Sequence, residues 1–529
     1  MQSNLESEIH FARQHTIGDI LRRSALRFPD KIAIICGKTG WTYNTFDSAC
    51  NQLTRQLLAN GISGGDNIAV VAKNSHGFAA LRFAAARIGA VLVPINFMLN
   101  ANEIRYILKS SRSKMLALGP EFIDVGMEAK SKETNVGITF GLPGENQRSS
   151  SKTDLRFEEL LTGDASAIET NLDDNSLAQI VFTSGTEAAP KGAMLSHSAV
   201  LWQYTSCIID GEMTSSDVML HALPLYHCAQ LDAFLGPSIY LGMTNIITSE
   251  ASPDNILPLL EQKKITSFFA PPSVWISLLR SPLFGKTNFQ KLEKGYYGAS
   301  IMPVEILAEL QKRLPQLRLW NLYGQTEMAP VATVLKPEDQ FRKAGSAGTA
   351  AINVETRVVD EEMNDVEIGE VGEIVHRSPQ LLTGYFEDPQ RTAEAFEGGW
   401  FHSGDLATID KEGHITVVDR KKDMINTGGE NVASREVEEC IYLMPEISEV
   451  AVIALPHPLW IEAVTAVVTI KDGRNTSEEA IIKHCREHLA GYKTPKQVIF
   501  QQSLPKNPSG KLLKRELRGN FASSKPSNP

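Results

Sequence analysis

Short runs of β-branched and aliphatic residues alternate with stretches of helical periodicity through most of the chain, and this narrows the available folds more than any other feature. "TIGDILRRSALRFP" has the spacing of an amphipathic helix, whereas "DNIAVVA", "AVLVPI", "LAQIVF", "TNIIT" and "LRLWNLYG" have the length and composition of strands. "SFFAPPSVWISLL" carries a strand into a helix. Alternation of this kind implies largely parallel sheets covered by helices, an α/β architecture. A chain of 529 residues exceeds what one core accommodates and predicts at least two domains. The longest apolar stretch, "FAALRFAAARIGAVLVPINF", carries Arg82 and Arg87 and reads as a helix feeding a buried strand, not a membrane span. Residues 131–153 are polar and read as a surface excursion.

The texture changes after about residue 400. "HITVVDRKKDMINTGGENVASREVEECI" places a strand before a charged turn, a Gly-Gly loop and a helix. Two strands, "EVAVIALP" and "EAVTAVVTI", then precede a helix, "SEEAIIKHCREHLA", and a last strand, "KQVIFQ". This is a small α/β unit of roughly a hundred residues, ending in a disordered tail from about residue 521.

"TSGTEAAPKG" (residues 183–192) gathers hydroxyls, a glycine and a lysine in one loop behind a strand. Small residues let a backbone approach a ligand and present its N–H groups, and the lysine adds a compact positive charge, a combination suited to polyphosphate. The order Pro190-Lys191-Gly192 is not that of the usual nucleoside-triphosphate loop. Taken alone, the stretch reads equally as a polar surface loop.

A net charge of -10 argues against nucleic acid as a partner. The six cysteines are scattered, as expected of reduced thiols in a cytoplasmic protein and not of a disulfide frame or zinc site. The start, "MQSNLESEIHFARQH", is polar and acidic, unlike a secretory signal. Two motif matches fail on context. "GISGG" lies between a helix and a strand, the reverse of a nucleophile elbow, so Ser63 is a turn residue. "HCREH" puts His484 and His488 on one helix face, but zinc needs a third ligand and the helix otherwise reads as a domain cover. Cys228 beside His227 reads as pocket lining.

Four further stretches are more specific: "NLYGQTE" (321–327), "GWFHSGD" (399–405), "DRKKDMINTGGEN" (419–431) and "PKNPSGK" (505–511). In this order, with the loop at residue 183, the chain resembles the adenylate-forming superfamily of acyl-CoA synthetases, luciferases and peptide-synthetase adenylation domains. "ARIGAVLVPIN", "KAGSAG" and the last two motifs are most similar to bacterial fatty-acyl-CoA synthetases. The resemblance implies a large N-terminal AMP-binding domain of helix-covered sheets (1–418) and a small mobile C-terminal domain (419–529) hinged at Asp419. It implies a two-step ligase that forms an acyl-adenylate and then the coenzyme A thioester of a medium- or long-chain fatty acid, using ATP and Mg²⁺.

By the same resemblance, Thr183, Ser184, Gly185, Thr186 and Lys191 cradle the leaving phosphates, and Glu327 with Thr183 holds Mg²⁺. Tyr323 and Gly324 lie at adenine, and Thr326 contacts the α-phosphate. Asp405 accepts the ribose hydroxyls, and Arg420 and Lys422 reach the ribose and phosphate edge. Lys511 bridges the substrate carboxylate and the α-phosphate, then gives way to Gly428 and Gly429, which face the pantetheine arm. "YYGAS" and "PLYHCAQ" line the acyl pocket, with Gly298 and Ala299 leaving room for a chain and His227 near the carboxylate. His227 reads nearly as well as a core histidine, and Asp232 as either a reader of substrate or a solvated carboxylate.

The chain departs from the family at Glu187 and Ala188, at Ser403 in place of threonine, and at Ala433-Ser434 in place of an aromatic-proline pair. The last change is expected to loosen the entrance of the following helix. Alternatives are an aryl-acid ligase, a loader of a separate acyl carrier protein, and a non-catalytic binder of nucleotide or fatty acid. Peripheral membrane contact and a homodimer stay open.

Overall fold

The strands that read as continuous apolar runs form the parallel centre of two sheets, and the hairpins close the edges. The computed structural model describes residues 2–183, 190–421, 423–427, 430–458, 460–506 and 512–521. Two compact units divide the chain: residues 1–355 with 376–401, and residues 356–375 with 402–529. Packing thus assigns 402–418 and a short upstream segment to the second unit.

In the first unit, one sheet runs Gly384–Tyr385, Lys191–Ser196, Leu177–Thr183, Val91–Pro94, Asn67–Val71, Met115–Leu118, Ile138–Gly141, Leu155–Arg156. Pairing is parallel from Leu177–Thr183 to Leu155–Arg156 and antiparallel at the Lys191–Ser196 edge. Val91–Pro94 and Met115–Leu118 are buried at every residue, which explains why they show no polar alternation. The crossover helix His76–Arg87 is likewise buried on all sides, and its alanines permit close packing. The polar stretch 131–153 differs from expectation: it contributes the strand Ile138–Gly141, whose three buried positions a composition-based reading overlooks.

A second sheet in this unit has its parallel core in Ile32–Cys36, Thr244–Ile247, Val218–His221, Ser267–Phe269, Lys294–Gly298 and Arg318–Gly324. Thr39–Thr42 closes one end, and Val331–Leu335 with Thr349–Ala350 the other. Both sheets therefore deliver strand ends to loops that the motifs occupy, where α/β proteins place ligands.

The second unit is built on the long antiparallel pair Ile447–His457 and Ile461–Ile470, with Gln497–Phe500 added in parallel. Val450 and Val452 pack under the helices Ser434–Tyr442 and Glu478–His488, while Ala451 and Ile453 face Leu517 of the helix Lys514–Phe521. The alternation of faces is the two-residue period of a strand covered on both sides. Among the described residues, no helix is long and apolar enough to cross a membrane.

Four histidines in the first unit are held neutral by burial. His197 is pushed down to about 3, by burial and then by the charge of Arg82, and its Nδ1 accepts the Ile17 N–H. Burial pushes His76, His221 and His376 down to about 4. The unfolded chain binds these protons from about pH 6.5 downward while the native state refuses them, so stability falls on acidification through that window. Each group contributes a slope of about 1.4 kcal/mol per pH unit. Denaturant unfolding at stepped pH should show a steep loss between about pH 6.5 and 4; a flat profile there would contradict the neutral assignment.

Candidate active site

The edge hairpin of the first sheet sets the geometry. Leu177–Thr183 and Lys191–Ser196 pair in antiparallel register with Thr183 opposite Lys191. Ser184, Gly185 and Thr186 lie outside the described residues, as do Glu187 and Ala188. Gly384–Tyr385 adds to the outer side of the same hairpin, opposite Met194 and Ala193. That pairing brings Tyr385 to Lys191.

Lys191 Nζ donates to the Tyr385 hydroxyl at 2.6 Å and stands 4.2 Å from the centre of its ring. The Tyr385 hydroxyl in turn donates to Glu327 Oε1 at 3.0 Å, and Lys191 Nζ lies 3.3 Å from the same oxygen. Glu327 is buried, in a short turn of helix (Thr326–Met328) at the end of the second sheet. Burial, and then the Glu327 charge, hold the Tyr385 hydroxyl protonated well above the ordinary tyrosine range, which fixes it as the donor. A buried carboxylate is thus satisfied by one cation and one hydroxyl. Local sequence does not mark Tyr385: "TGYFEDP" offers only a glycine-aromatic pair after a polar turn, and the contact joins residues 194 apart through a strand pairing.

Gly324 ends the strand that leads to Glu327. A Cβ there would fall 2.0 Å from the Pro330 carbonyl, so only glycine fits. Tyr323 is half-buried at the same strand end. Two residues before Glu327 in the chain, the Gln325 side-chain nitrogen is buried with no hydrogen-bond partner among the described residues. Thr326 Oγ1 lies 3.4 Å from Cys228 Sγ. Burial pushes the Cys228 thiol up to about 12, so it is no nucleophile at neutral pH. His227 Nδ1 accepts the Ala229 N–H at 3.1 Å, capping the turn that carries Cys228.

Two expectations in this region are corrected. Gly298 does not leave open space: a Cβ there would meet the Leu322 carbonyl of the neighbouring strand at 2.5 Å, so strand contact demands the glycine. Its neighbour Ala299 is exposed with φ of 66°, in the left-handed region that favours glycine. Asp232 neither faces solvent nor reads a substrate. It is wholly buried, 3.2 Å from Arg82 Nη2, and accepts from Gln179 at 2.7 Å and Tyr204 at 3.2 Å.

In the second unit, Asp405 and Arg420 face each other across the antiparallel strands Phe401–Ile409 and Ile415–Arg420, with Arg420 Nε 3.5 Å from Asp405 Oδ1. The Ser403 hydroxyl accepts the Asp405 N–H at 3.0 Å, a role that any hydroxyl residue fills. Asp419 is buried and takes the Arg420 N–H on Oδ1 at 2.8 Å. Its Oδ2 accepts both the N–H and the hydroxyl of Ser434 at 2.6 Å. Ser434 opens the helix Ser434–Tyr442, so Asp419 satisfies one of its orphan donors. Lys514 also donates to the Ser434 hydroxyl, at 2.6 Å. The helix entrance expected to be loose is pinned instead, through the serine that replaces proline. Lys422, Gly428, Gly429 and Lys511 lie outside the described residues.

Residues 21–386 match the AMP-binding enzyme family and residues 436–511 its C-terminal domain. The chain is 33% identical over 516 residues to feruloyl-CoA synthase of an Amycolatopsis species, covering 96% of this chain and 100% of the other. It is 34% identical over 514 residues to the long-chain-fatty-acid–CoA ligase FadD13 of Mycobacterium tuberculosis, with 96% and 99% covered. The crystal structure of ATP-bound MatB from Rhodopseudomonas palustris superposes with a TM-score of 0.87 at 28% identity, over 96% of this chain and 99% of that one. The motif order, the helix-covered sheets and these matches agree: the chain belongs to the AMP-binding enzyme family, in its acyl-CoA synthetase branch, and is an acid–thiol ligase.

Proposed function

We propose that the chain activates a medium- or long-chain fatty acid with ATP and transfers the acyl group to coenzyme A. The observation that carries this reading is the Lys191–Tyr385–Glu327 cluster at the end of the Thr183–Lys191 strand pair, a cation and a buried carboxylate held where a triphosphate would compete for the lysine. In the first step a carboxylate oxygen of the acid attacks the α-phosphorus and the bond to pyrophosphate breaks. In the second the thiol sulfur attacks the acyl carbon, AMP leaves, and the thiol proton passes to solvent.

Two anions must meet in the first step, so the site has to offer cations and donors in advance. Lys191 and the 183–186 hydroxyls and glycine take the β- and γ-phosphates in this reading, and Thr326 the α-phosphate. Tyr323 and Gly324 form the adenine end, and Asp405, an acceptor-only group, takes the two ribose hydroxyls with Arg420 and Lys422 alongside. Glu327 and Thr183 offer hard oxygen donors, which suit Mg²⁺. Bound there, Mg²⁺ would neutralise charge on the leaving phosphates. Lys511 offsets the repulsion between carboxylate and α-phosphate. The C-terminal unit then turns about Asp419, so that Gly428 and Gly429 replace Lys511 for thioester formation. His227 stands at the acyl carboxylate.

A second reading, an aryl substrate, has support from the equally near likeness to feruloyl-CoA synthase. Steady-state kcat/KM over straight-chain acids from acetate to stearate, with benzoate and ferulate beside them, separates the two. Burying each added methylene is worth about 0.8 kcal/mol, so kcat/KM should rise about threefold to fourfold per carbon until the pocket is filled. A flat aliphatic series below ferulate or benzoate would favour the aryl reading.

A further inference from the structure

The third ligand that the "HCREH" helix lacks in sequence is supplied in space by the helix packed against it. We propose that Cys440, His484 and His488 form a binding site for a thiophilic divalent cation, with Zn²⁺ the best match, in the second unit and separate from the adenylating residues. Cys440 lies on Ser434–Tyr442; His484 and His488 lie one turn apart on Glu478–His488, with ring centres 4.3 Å apart. One sulfur and two ring nitrogens, one from each side chain, lie within 4.8 Å of one another. Tetrahedral zinc with these ligands needs separations of about 3.3–3.6 Å, which a shift of about an ångström in the side chains supplies.

Each histidine has one ring nitrogen fixed by a backbone carbonyl. His484 Nε2 donates to the Cys440 carbonyl at 3.0 Å, and His488 Nδ1 to the His484 carbonyl at 2.8 Å. A carbonyl can only accept, so each N–H is fixed and the other nitrogen of each ring keeps its lone pair. Backbone carbonyls commonly play this part behind zinc-bound histidines. The helix itself is well anchored: Ser477 accepts the Ala480 N–H at 3.2 Å, and Ile481 and Cys485 lie in the core.

Burial grades across the site, from Cys440 inside through half-buried His484 to exposed His488, which gives an ion a route in and leaves a position for water. One thiolate and two neutral imidazoles suit zinc rather than Mg²⁺ or Ca²⁺. Binding replaces the Cys440 thiol proton, which passes to solvent, and no other bond is made or broken. The ion would clamp Ser434–Tyr442 to Glu478–His488, and the first of these helices is the one whose start Asp419 and Lys514 hold.

The test uses the full chain without an affinity tag, kept reduced by a phosphine because the buried Cys485 thiol adjoins that of Cys440. ZnCl₂ is titrated against a chromogenic chelator, and retained zinc is counted after gel filtration. The wild type should retain one equivalent, and Cys440→Ser and His488→Gln should bind at least about tenfold more weakly. CoCl₂ should give a thiolate-to-cobalt charge-transfer band that Cys440→Ser abolishes. His488 is exposed, so His488→Gln gives a folded comparison even if the cysteine variant misfolds. No zinc bound by the wild type, or equal binding by wild type and His488→Gln, overturns the proposal.

Discussion

Lys511→Ala is expected to slow acyl-adenylate formation by about 10²–10³-fold, the usual cost of removing one preorganised donor from a developing charge. The proposed role lies at the α-phosphate alone, so the variant should fold and unfold like the wild type. Its effect should also be confined to one half-reaction. Supplied with preformed acyl-adenylate and coenzyme A, the variant should make thioester at close to the wild-type rate, because the second step requires the lysine to have left. Rapid-quench measurement of each half-reaction checks both statements. Equal loss in the two steps would show that Lys511 acts in binding or folding and not at the α-phosphate.

Asp232→Ala should strongly destabilise the first unit. Its carboxylate joins three elements: Arg82 of His76–Arg87, Gln179 of Leu177–Thr183, and Tyr204 of His197–Asp210. Removing it strands a guanidinium that is 2% exposed, with a Nε that already lacks a partner among the described residues. Breaking a buried pair in this way costs about 3–5 kcal/mol. Replacing both partners with apolar residues of similar size, as in Arg82→Met with Asp232→Leu, should cost much less, since no charge is then left unpaired. Urea unfolding of Arg82→Met, Asp232→Leu and the double variant gives the comparison. A double variant as unstable as the sum of the singles would mean that the pair is not coupled.

Much of the architecture was legible because strands buried on both faces read as apolar runs, and Asn67–Val71 and Val91–Pro94 lie within the segments expected of them. Ile138–Gly141 was not legible, since its four residues sit in a polar stretch whose composition outweighs them. Glu327 and Lys191 were legible from motif context, but their common partner Tyr385 depends on an edge-strand pairing that no local pattern records. Asp232 misled for the opposite reason. A carboxylate in a loop motif suggests solvent or substrate, and its arginine lies 150 residues upstream inside a helix that is buried all round. Ser434 shows the same limit on a smaller scale. Its exchange for proline reads as lost rigidity, while the structure replaces a ring constraint with two hydrogen bonds to Asp419. Cys440 and the two histidines come together only because two helices share one face of the Ile447–Ile470 sheet.

The central claim is that the chain joins an acid to coenzyme A through an acyl-adenylate. Mass spectrometry of a reaction containing ATP, Mg²⁺, coenzyme A and palmitate, run alongside one without coenzyme A, addresses it directly. The account predicts palmitoyl-CoA, AMP and pyrophosphate in the first and enzyme-bound palmitoyl-adenylate with pyrophosphate in the second. ADP and phosphate in place of AMP and pyrophosphate, or thioester in the first reaction with no adenylate in the second, would contradict it.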